Sequence, residues 1–184
     1  MDECAMRYVA LLRALNVGGK AVVKMSDVRA AFETAGCRDV TTLGAAGNVV
    51  FSTGVTRVSA QEKKIAAALH TLMGAKTDVC FRELEQLVEL VAFDPFGELV
   101  SDESVKLYVT FMDRSPTPRP KLPISIPKEG IEITGLRGTE MFVVSRPKPN
   151  GFYGFPNLYV EKLGVTATSR NWNTVTKLAA LARP

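Results

Sequence analysis

The spacing of apolar residues in the first 82 positions restricts the fold of this chain more than any other feature. Met6–Leu15 is a nearly continuous apolar run, as expected for a strand that is covered on both faces. The next segment carries apolar residues at the spacing of one helix face: Val28, Ala31, Phe32 and Ala35. Together with the apolar segments that follow up to residue 82, this pattern predicts the order β-α-β-β-α-β within residues 6–82, which is the ferredoxin-like arrangement.

The remaining strands and the helix ends of this half follow from shorter patterns. Strands are predicted at Asp39–Leu43, Asn48–Ser52 and Thr77–Arg82. Ser26 is predicted to cap the first helix, because its side-chain oxygen could accept from free amides of the first turn. Ser59 and Glu62 match a capping box at the start of the second helix. Gly36 and Gly74 are the predicted stops, and one more helix is expected from Leu84 to the residues before Asp94.

The second half of the chain predicts a smaller α+β domain. We expect the domains to be residues 1–97, ferredoxin-like, and residues 98–184, with a proline-rich segment at 114–128 and a C-terminal helix. A strand is predicted at Val105–Met112 and a hairpin at 131–145. Prolines lack an amide to donate, so the proline-rich segment should be extended or lie at a sheet edge. A short helix should begin near Pro156, and the last helix should begin after Ser169.

Charge and cysteine content narrow the class of protein. Residues 99–184 hold 12 Lys and Arg against 7 Asp and Glu, whereas residues 1–98 hold 11 against 12. A basic half favours contact with phosphate or nucleic acid, although a solvated surface explains the same balance. The three cysteines are widely spaced without a CxxC pair, which argues against disulfides and zinc ribbons. With no secretion signal or apolar span at the length of a bilayer, a cytoplasmic protein without membrane contact is expected.

The first cluster that could carry chemistry spans the end of the first predicted strand and the glycine loop that follows it. It contains Arg13, Asn16, Gly18, Gly19 and Lys20. An arginine in an apolar strand needs a carboxylate, carbonyls or a ligand anion as partner. The loop could therefore bind an anion ahead of a helix N-terminus. The alternative is a tight turn in which an internal carboxylate holds Arg13.

The second cluster lies at the predicted start of the last helix. Its residues are Arg170, Asn171, Trp172 and Asn173. Helix N-termini present free amides, and an arginine adds a planar fork of donors, so an anion could bind here with Trp172 stacking on a base. The alternative is a packed tryptophan above a polar cap, since Trp172 continues the apolar stripe of Val175.

Three further features carry weaker signals. Asn48 follows Gly47 at a turn, where a structural role is favoured over ligand binding. His70 has no partner at metal-ligand spacing, so neither a metal site nor a catalytic histidine pair is supported. Aromatic residues near Arg146 and Lys148 are compatible with a nucleic-acid surface and equally with packing: Phe152, Tyr153, Phe155 and Tyr159.

Three of these segments resemble a known family. Tyr8–Gly19, Ala46–Phe51 and Thr168–Val175 are similar to motifs of the domain of unknown function 1697 family, a group of uncharacterised bacterial proteins. The resemblance implies an α+β fold with two ferredoxin-like subdomains and no established activity. Ala14, Ala46 and Ser169 depart from the family pattern of Gly, Ser and Thr. A serine at the middle motif is therefore absent here, which weakens any serine-based enzyme hypothesis.

Three functional hypotheses remain open at this point. The first is a non-enzymatic binding module, in which the two terminal clusters converge on a small anion or a nucleic acid. The second is an enzyme for a small phosphorylated or carboxylated substrate, whose acid and base would be carboxylates or lysines. The third makes the terminal motifs purely structural. No cofactor and no metal are expected under any of them.

Overall fold

The protein is an α+β chain with two antiparallel sheets in two compact units. The computed structural model describes residues 6–13, 15, 23–54 and 58–182. The first unit comprises Met1–Val88 with Leu178–Pro184, and the second comprises Glu89–Lys177. Within the described residues, none of the helices is both long enough and apolar enough to cross a bilayer.

The first unit contains a four-stranded sheet with the order β2-β3-β1-β4, in which all neighbours are antiparallel. Its elements follow the predicted β-α-β-β-α-β order and then lead into a third helix. They are β1 (Met6–Leu12), α1 (Met25–Thr34), β2 (Arg38–Leu43), β3 (Asn48–Thr53), α2 (Val58–Met73), β4 (Val79–Glu83) and α3 (Leu84–Phe93), of which the part from Glu89 onward belongs to the second unit. The predicted first strand is three residues too long, because it ran on to Leu15.

One apolar core lies between the sheet and helices α1 and α2. Period-2 alternation places Tyr8, Ala10 and Leu12 of β1 on one face, opposite Phe51 and Val49 of β3. The helices cover this face with side chains one turn apart: Val28 and Phe32 of α1, and Ile65 and Leu69 of α2. The helix face predicted from sequence is therefore the buried one.

The predicted N-cap at Ser26 is wrong. Helix α1 begins at Met25, and Lys24 occupies the N-cap position without a side-chain cap. The Lys24 carbonyl accepts from the amides of Asp27 at 3.0 Å and Val28 at 3.2 Å. Because the backbone already satisfies these donors, the Ser26 hydroxyl lies against Asp27 Oδ1 at 3.3 Å. Ser59 likewise lies inside α2, whereas both predicted glycine stops have positive φ, +90° at Gly36 and +67° at Gly74.

The second unit contains a five-stranded antiparallel sheet with the order β6-β7-β8-β5-β9. Its elements are β5 (Lys106–Met112), β6 (Ile124–Ile126), β7 (Ile131–Arg137), β8 (Glu140–Ser145), α4 (Asn157–Glu161), β9 (Ala167–Asn171) and α5 (Trp172–Ala180), of which the part from Leu178 onward belongs to the first unit. Short 3-10 helices lie at Gly97–Ser101 and Pro127–Glu129. The proline-rich segment contains β6, which lies at the edge of the sheet, where a neighbouring proline disrupts no strand pairing on the outer side.

The core of the second unit lies between one face of this sheet and the α4 region. Met112 of β5, Ile133 of β7 and Val143 of β8 pack with Val160 of α4 and with Val165. The predicted hairpin is confirmed, although its first strand reaches Arg137 and the turn is correspondingly shorter.

The predicted start of the last helix after Ser169 is wrong. Residues Ala167–Asn171 form β9, which pairs antiparallel with β5, and the helix begins only at Trp172. The Ser169 hydroxyl lies 2.7 Å from the Thr110 hydroxyl across this pair, and both side chains are buried. The hydroxyl that local sequence assigned to a cap is therefore used between two strands.

Candidate functional site

Arg13 lies just beyond β1 and is held by Asp78. Its backbone amide donates to the Asp78 carbonyl at 2.8 Å, and its guanidinium Nη1 lies 3.7 Å from Asp78 Oδ2. The arginine side chain is 36% exposed. Arg13 therefore has a carboxylate partner, as the structural alternative expected, but Asp78 is itself 39% exposed and is not an internal carboxylate.

Gly47 and Asn48 close the turn between β2 and β3. The Asn48 side-chain amide donates to the Leu43 carbonyl at 2.9 Å, and the residue is buried. The Gly47 carbonyl accepts from the Leu12 amide at 2.8 Å. This geometry gives Asn48 a structural role at the end of the sheet.

Two predicted ligand residues of the first unit come together at one end of its sheet. Asn48 pairs with Leu11, two residues before Arg13. The glycine loop follows from this end, but Asn16, Gly18, Gly19 and Lys20 lie outside the described residues. Their part in an anion site stays a prediction.

Arg170 does not lie at a helix start, as the sequence had predicted, but inside strand β9. The residue is only 7% exposed. Its Nη1 donates to Thr168 Oγ1 at 2.8 Å and to the Ser169 carbonyl at 2.9 Å. The Arg170 guanidinium therefore has a structural role within β9, because a buried charge without hydrogen-bond partners would destabilise the fold.

Asn171 caps helix α5. Its Oδ1 accepts from the Asn173 amide at 3.0 Å, and Asn173 is the second helical residue. This is the usual N-cap hydrogen bond. It uses one of the backbone amides that were predicted to bind an anion at the helix start.

Trp172 is a packed tryptophan, as the structural alternative held. The residue is buried, and its ring meets the Phe96 ring edge to face, with centroids 5.2 Å apart and planes at 74°. Phe96 in turn contacts Phe142 of β8 in the same manner at 6.1 Å.

A cavity of about 440 Å³ borders the start of α5. Three of the predicted residues line it, Asn171, Trp172 and Asn173, and sequence reasoning missed the rest of its wall. Half of the ten lining residues are apolar, and the charged ones are Asp102, Glu103 and Lys106. The volume is that of a small-molecule site, and the charge balance of its wall is negative rather than positive.

Asp102 is fixed beside this cavity by Ser104. Its Oδ1 accepts from the Ser104 hydroxyl at 2.6 Å and from the Ser104 amide at 2.9 Å. These two hydrogen bonds, with a smaller effect of the Arg146 charge, lower the pKa of Asp102. The carboxylate therefore stays ionised at neutral pH.

An aromatic surface adjoins the same region, formed by Tyr108, Phe152, Tyr153 and Phe155. Phe152 is 71% exposed, and Phe155 is 53% exposed. Phe155 meets the Tyr108 ring edge to face, with centroids 5.8 Å apart. Burial, together with the nearby Tyr153, raises the pKa of Tyr108, so its hydroxyl is neutral at ordinary pH.

The loop that carries these rings is held firmly on the sheet. The Lys148 amide donates to the Phe152 carbonyl at 2.8 Å, and the Ser145 hydroxyl donates to the Gly154 carbonyl at 2.9 Å. The Tyr153 hydroxyl donates to the Ser104 carbonyl at 3.0 Å. The backbone that carries Phe152 and Phe155 is therefore fixed at both ends of this segment.

Cationic groups accompany the aromatic surface. The Lys106 Nζ lies 4.3 Å from the centroid of the Tyr153 ring. Arg146 and Lys148 make ion pairs with Glu132 at 3.5 Å and Glu129 at 3.2 Å. The sequence signal for this surface is a run of aromatic residues among glycine, asparagine and proline without helix or strand period, which favours exposed rings on a loop.

Among the residues that the structure describes, the cysteines and the potential metal ligands do not form a second site. Cys37 is buried, and burial raises the pKa of its thiol, an effect that the Gln61 amide at 3.1 Å partly offsets. Cys80 is also buried, and Cys4 lies outside the described residues. Within the described part of the chain, no three His, Cys, Asp or Glu residues are grouped so that they could hold a metal ion.

These features define a two-unit α+β protein with a cavity and an exposed aromatic surface in its second unit. Residues 6–142 match the family described as "Protein of unknown function (DUF1697)", and the chain belongs to this family. The resemblance seen in the sequence motifs is thereby confirmed.

One solved structure supports the fold. The conserved bacterial protein SP0830 from Streptococcus pneumoniae is similar with a TM-score of 0.59 and 18% sequence identity, over 96% of this chain and 98% of that chain. At this identity the likeness shows the fold alone. No curated protein matches the chain.

Proposed function

We propose that this protein is a non-enzymatic binding module for an anionic partner, and that single-stranded nucleic acid is the partner of its second unit. The observation that carries the proposal is the aromatic surface, in which exposed Phe152 and Phe155 flank Tyr153 in the chain and Lys106 Nζ lies 4.3 Å from the centroid of the Tyr153 ring. Bases of a single strand stack on exposed rings, and cations along the path contact its phosphates.

The exposure of the rings supports binding rather than packing. A phenylalanine that is 71% exposed stabilises the fold little, since the apolar effect scales with the area removed from water. Clusters of exposed apolar side chains mark interaction sites in soluble proteins. The firm anchoring of the loop lowers the entropy cost of binding.

The charges near these rings suit a polyanion. Lys106 is exposed, and the side chains of Arg146 and Lys148 keep 49% and 24% of their surface open. Their surface ion pairs are weak enough to be exchanged for phosphate contacts. In this proposal, the excess of basic residues in the second half of the chain serves to bind phosphate groups beside the aromatic surface.

The ligand residues predicted for the first unit remain part of the proposal. Arg13, together with the loop residues Asn16, Gly18, Gly19 and Lys20, would contact phosphate groups. The ferredoxin-like interpretation of this unit, to which the strand order β2-β3-β1-β4 lends support, and a cytoplasmic location belong to the same proposal.

An enzyme for a small phosphorylated or carboxylated substrate is the less favoured alternative. The cavity beside Trp172 offers space for such a substrate, but Asp102 and Glu103 would repel an anion there and Lys106 alone would attract it.

The test is the affinity for a fluorescein-labelled single-stranded oligonucleotide, measured by fluorescence anisotropy at low salt. Phe152→Ala should weaken binding about tenfold, because stacking of one base contributes about 1–3 kcal/mol. Phe152→Tyr keeps the ring and should bind as the wild type does.

Leu158→Ala is the matched control. Leu158 is 69% exposed, like Phe152, but has no ring on which a base could stack. An equal loss in Leu158→Ala and Phe152→Ala would indicate a general apolar contact with a protein partner instead. No binding of the wild type at low salt would refute the proposal.

A further inference from the structure

We propose that the cavity at the start of α5 binds an unpaired nucleobase that carries an exocyclic amino group, as adenine and cytosine do. This inference deepens the proposed function, because it assigns base selectivity to a site next to the aromatic surface. It depends on single-stranded nucleic acid, or its free nucleosides, being the ligand of the second unit.

The first argument is the shape and lining of the cavity. Its volume of about 440 Å³ falls in the range of sites that enclose small organic ligands. Leu99, Val100 and Leu107 supply apolar wall, and Trp172 supplies an aromatic ring. A flat heterocycle buries its faces well against such a wall.

The second argument is the set of free polar groups. Among the described residues, no hydrogen bond or ion pair uses the Glu103 carboxylate or the side-chain amide of Asn173. Asn171 uses its Oδ1 for the cap and keeps its NH₂ group for another acceptor. The cavity thus offers a carboxylate that only accepts, beside amides that can donate.

This combination matches one kind of base edge. Adenine and cytosine present an amino donor next to a ring nitrogen that accepts, and carboxylates and asparagines are the side chains that pair with these groups. Uracil and thymine present a carbonyl oxygen at the same place, which the Glu103 carboxylate would repel. The negative balance of the cavity wall, which disfavours a free anion, is no obstacle to a neutral base.

The third argument is continuity with the aromatic surface. Lys106 lines the cavity, and its Nζ lies over the Tyr153 ring. The Tyr153 hydroxyl donates to the carbonyl of Ser104, whose side chain fixes Asp102 of the cavity wall. A strand stacked on Phe152 and Phe155 would therefore pass the cavity mouth with a cation for its phosphate at the border.

Trp172 makes the test direct, because it is the only tryptophan in the chain. Its emission is titrated with adenosine and with uridine, corrected for nucleoside absorbance with a free tryptophan derivative. Adenosine should quench or shift the emission with saturation, and uridine should bind about tenfold more weakly. Equal effects of both nucleosides, or none, would overturn the inference.

Variants at exposed positions separate the contacts from folding. Glu103→Gln should reduce the preference for adenosine about tenfold, because a glutamine amide can also donate to the uridine carbonyl. Glu98→Gln lies on the nearby 3-10 helix outside the cavity and should leave the preference unchanged. An unchanged preference in Glu103→Gln would also overturn the inference.

The two proposals fail in different ways. If Phe152→Ala weakens oligonucleotide binding while adenosine leaves Trp172 emission unchanged, the nucleobase cavity is wrong and the binding surface stands. If adenosine binds in the cavity but the protein does not bind the labelled oligonucleotide at low salt, the cavity is a nucleoside site and the proposed nucleic-acid function is wrong.

Discussion

Gly47 lies at a position where the backbone conformation and the neighbouring atoms both require glycine. Its φ is +74°, and a Cβ placed there would lie 2.7 Å from Leu12 Cβ. A side chain would therefore meet both conformational strain and a steric clash with the core strand. The Gly47-Asn48 motif, whose asparagine was a candidate ligand residue, is therefore explained by the geometry of the turn.

We expect Gly47→Ala to lower the free energy of unfolding by about 2–4 kcal/mol, from left-handed strain plus overpacking. Chemical denaturation followed by circular dichroism measures it. Gly44→Ala is the control, because Gly44 has a φ of +65° in the same turn but no atom within 4 Å of the added Cβ. It should cost only about 1 kcal/mol. Equal losses at the two positions would contradict the steric part of the argument.

Ser104 determines the pKa of Asp102, and this dependence can be tested directly. Ser104→Ala removes the hydroxyl donor but keeps the amide, so the pKa of Asp102 should rise toward its ordinary value of about 3.9. A carboxyl with a lowered folded pKa stabilises the fold above its unfolded pKa, and this contribution is lost as the pH falls through the folded pKa. The difference in the free energy of unfolding between wild type and variant should therefore decrease to zero as the pH is lowered.

Carbon-detected NMR titration of the Asp102 carboxyl measures the pKa in both proteins. Ser101→Ala alters a neighbouring exposed serine and should leave the titration unchanged. An unshifted titration in Ser104→Ala would show that the hydroxyl is not the cause.

At the scale of elements, the joining of β9 to β5 depends on a buried pair of hydroxyls. Thr110 and Ser169 lie opposite each other, and each satisfies the other at 2.7 Å. Either single replacement leaves one buried hydroxyl without this partner, whereas replacing both removes the polar groups together.

We expect Ser169→Ala to destabilise the protein by about 1–3 kcal/mol, and Thr110→Val to do likewise. The double variant should lose clearly less than the sum, which denaturation followed by Trp172 fluorescence can measure as a double-mutant cycle. Ser125→Ala on the exposed face of edge strand β6 is the control, with little effect expected. Additive losses would show that the two hydroxyls are independent.

Element boundaries were predictable where local chemistry had one solution. Gly36 and Gly74 end their helices as predicted, because glycine adopts positive φ without strain. Ser169 could serve as a cap or as a strand residue, and Asn171, two positions later, could cap as well. Only pairing with β5, which is distant in sequence, decides that Asn171 caps the helix and Ser169 lies in the sheet.

At the scale of the whole molecule, the proposal makes a prediction about salt. Binding of a single strand should weaken with a slope of about −0.7 per phosphate contact in a plot of log affinity against log salt. Three such contacts, by Lys106, Arg146 and Lys148, would give a slope of about −2.

Anisotropy titrations over a range of salt concentrations measure this slope. Lys106→Ala should reduce it by about 0.7, while Lys121→Ala, which removes an exposed charge of the proline-rich segment, should not change it. A slope near zero would exclude phosphate contacts and with them the proposed partner.

The amino-acid sequence by itself determined the order of elements in the first unit, the buried faces of its helices and the family. These follow from the spacing of apolar residues and from long motifs, both of which can be read along the chain. The tertiary structure decided that Arg170 is buried, that Trp172 packs on Phe96 beside a cavity and that Phe152 is exposed. The physical reason is that the exposure of a side chain depends on which distant segments cover it, and local spacing does not specify those segments.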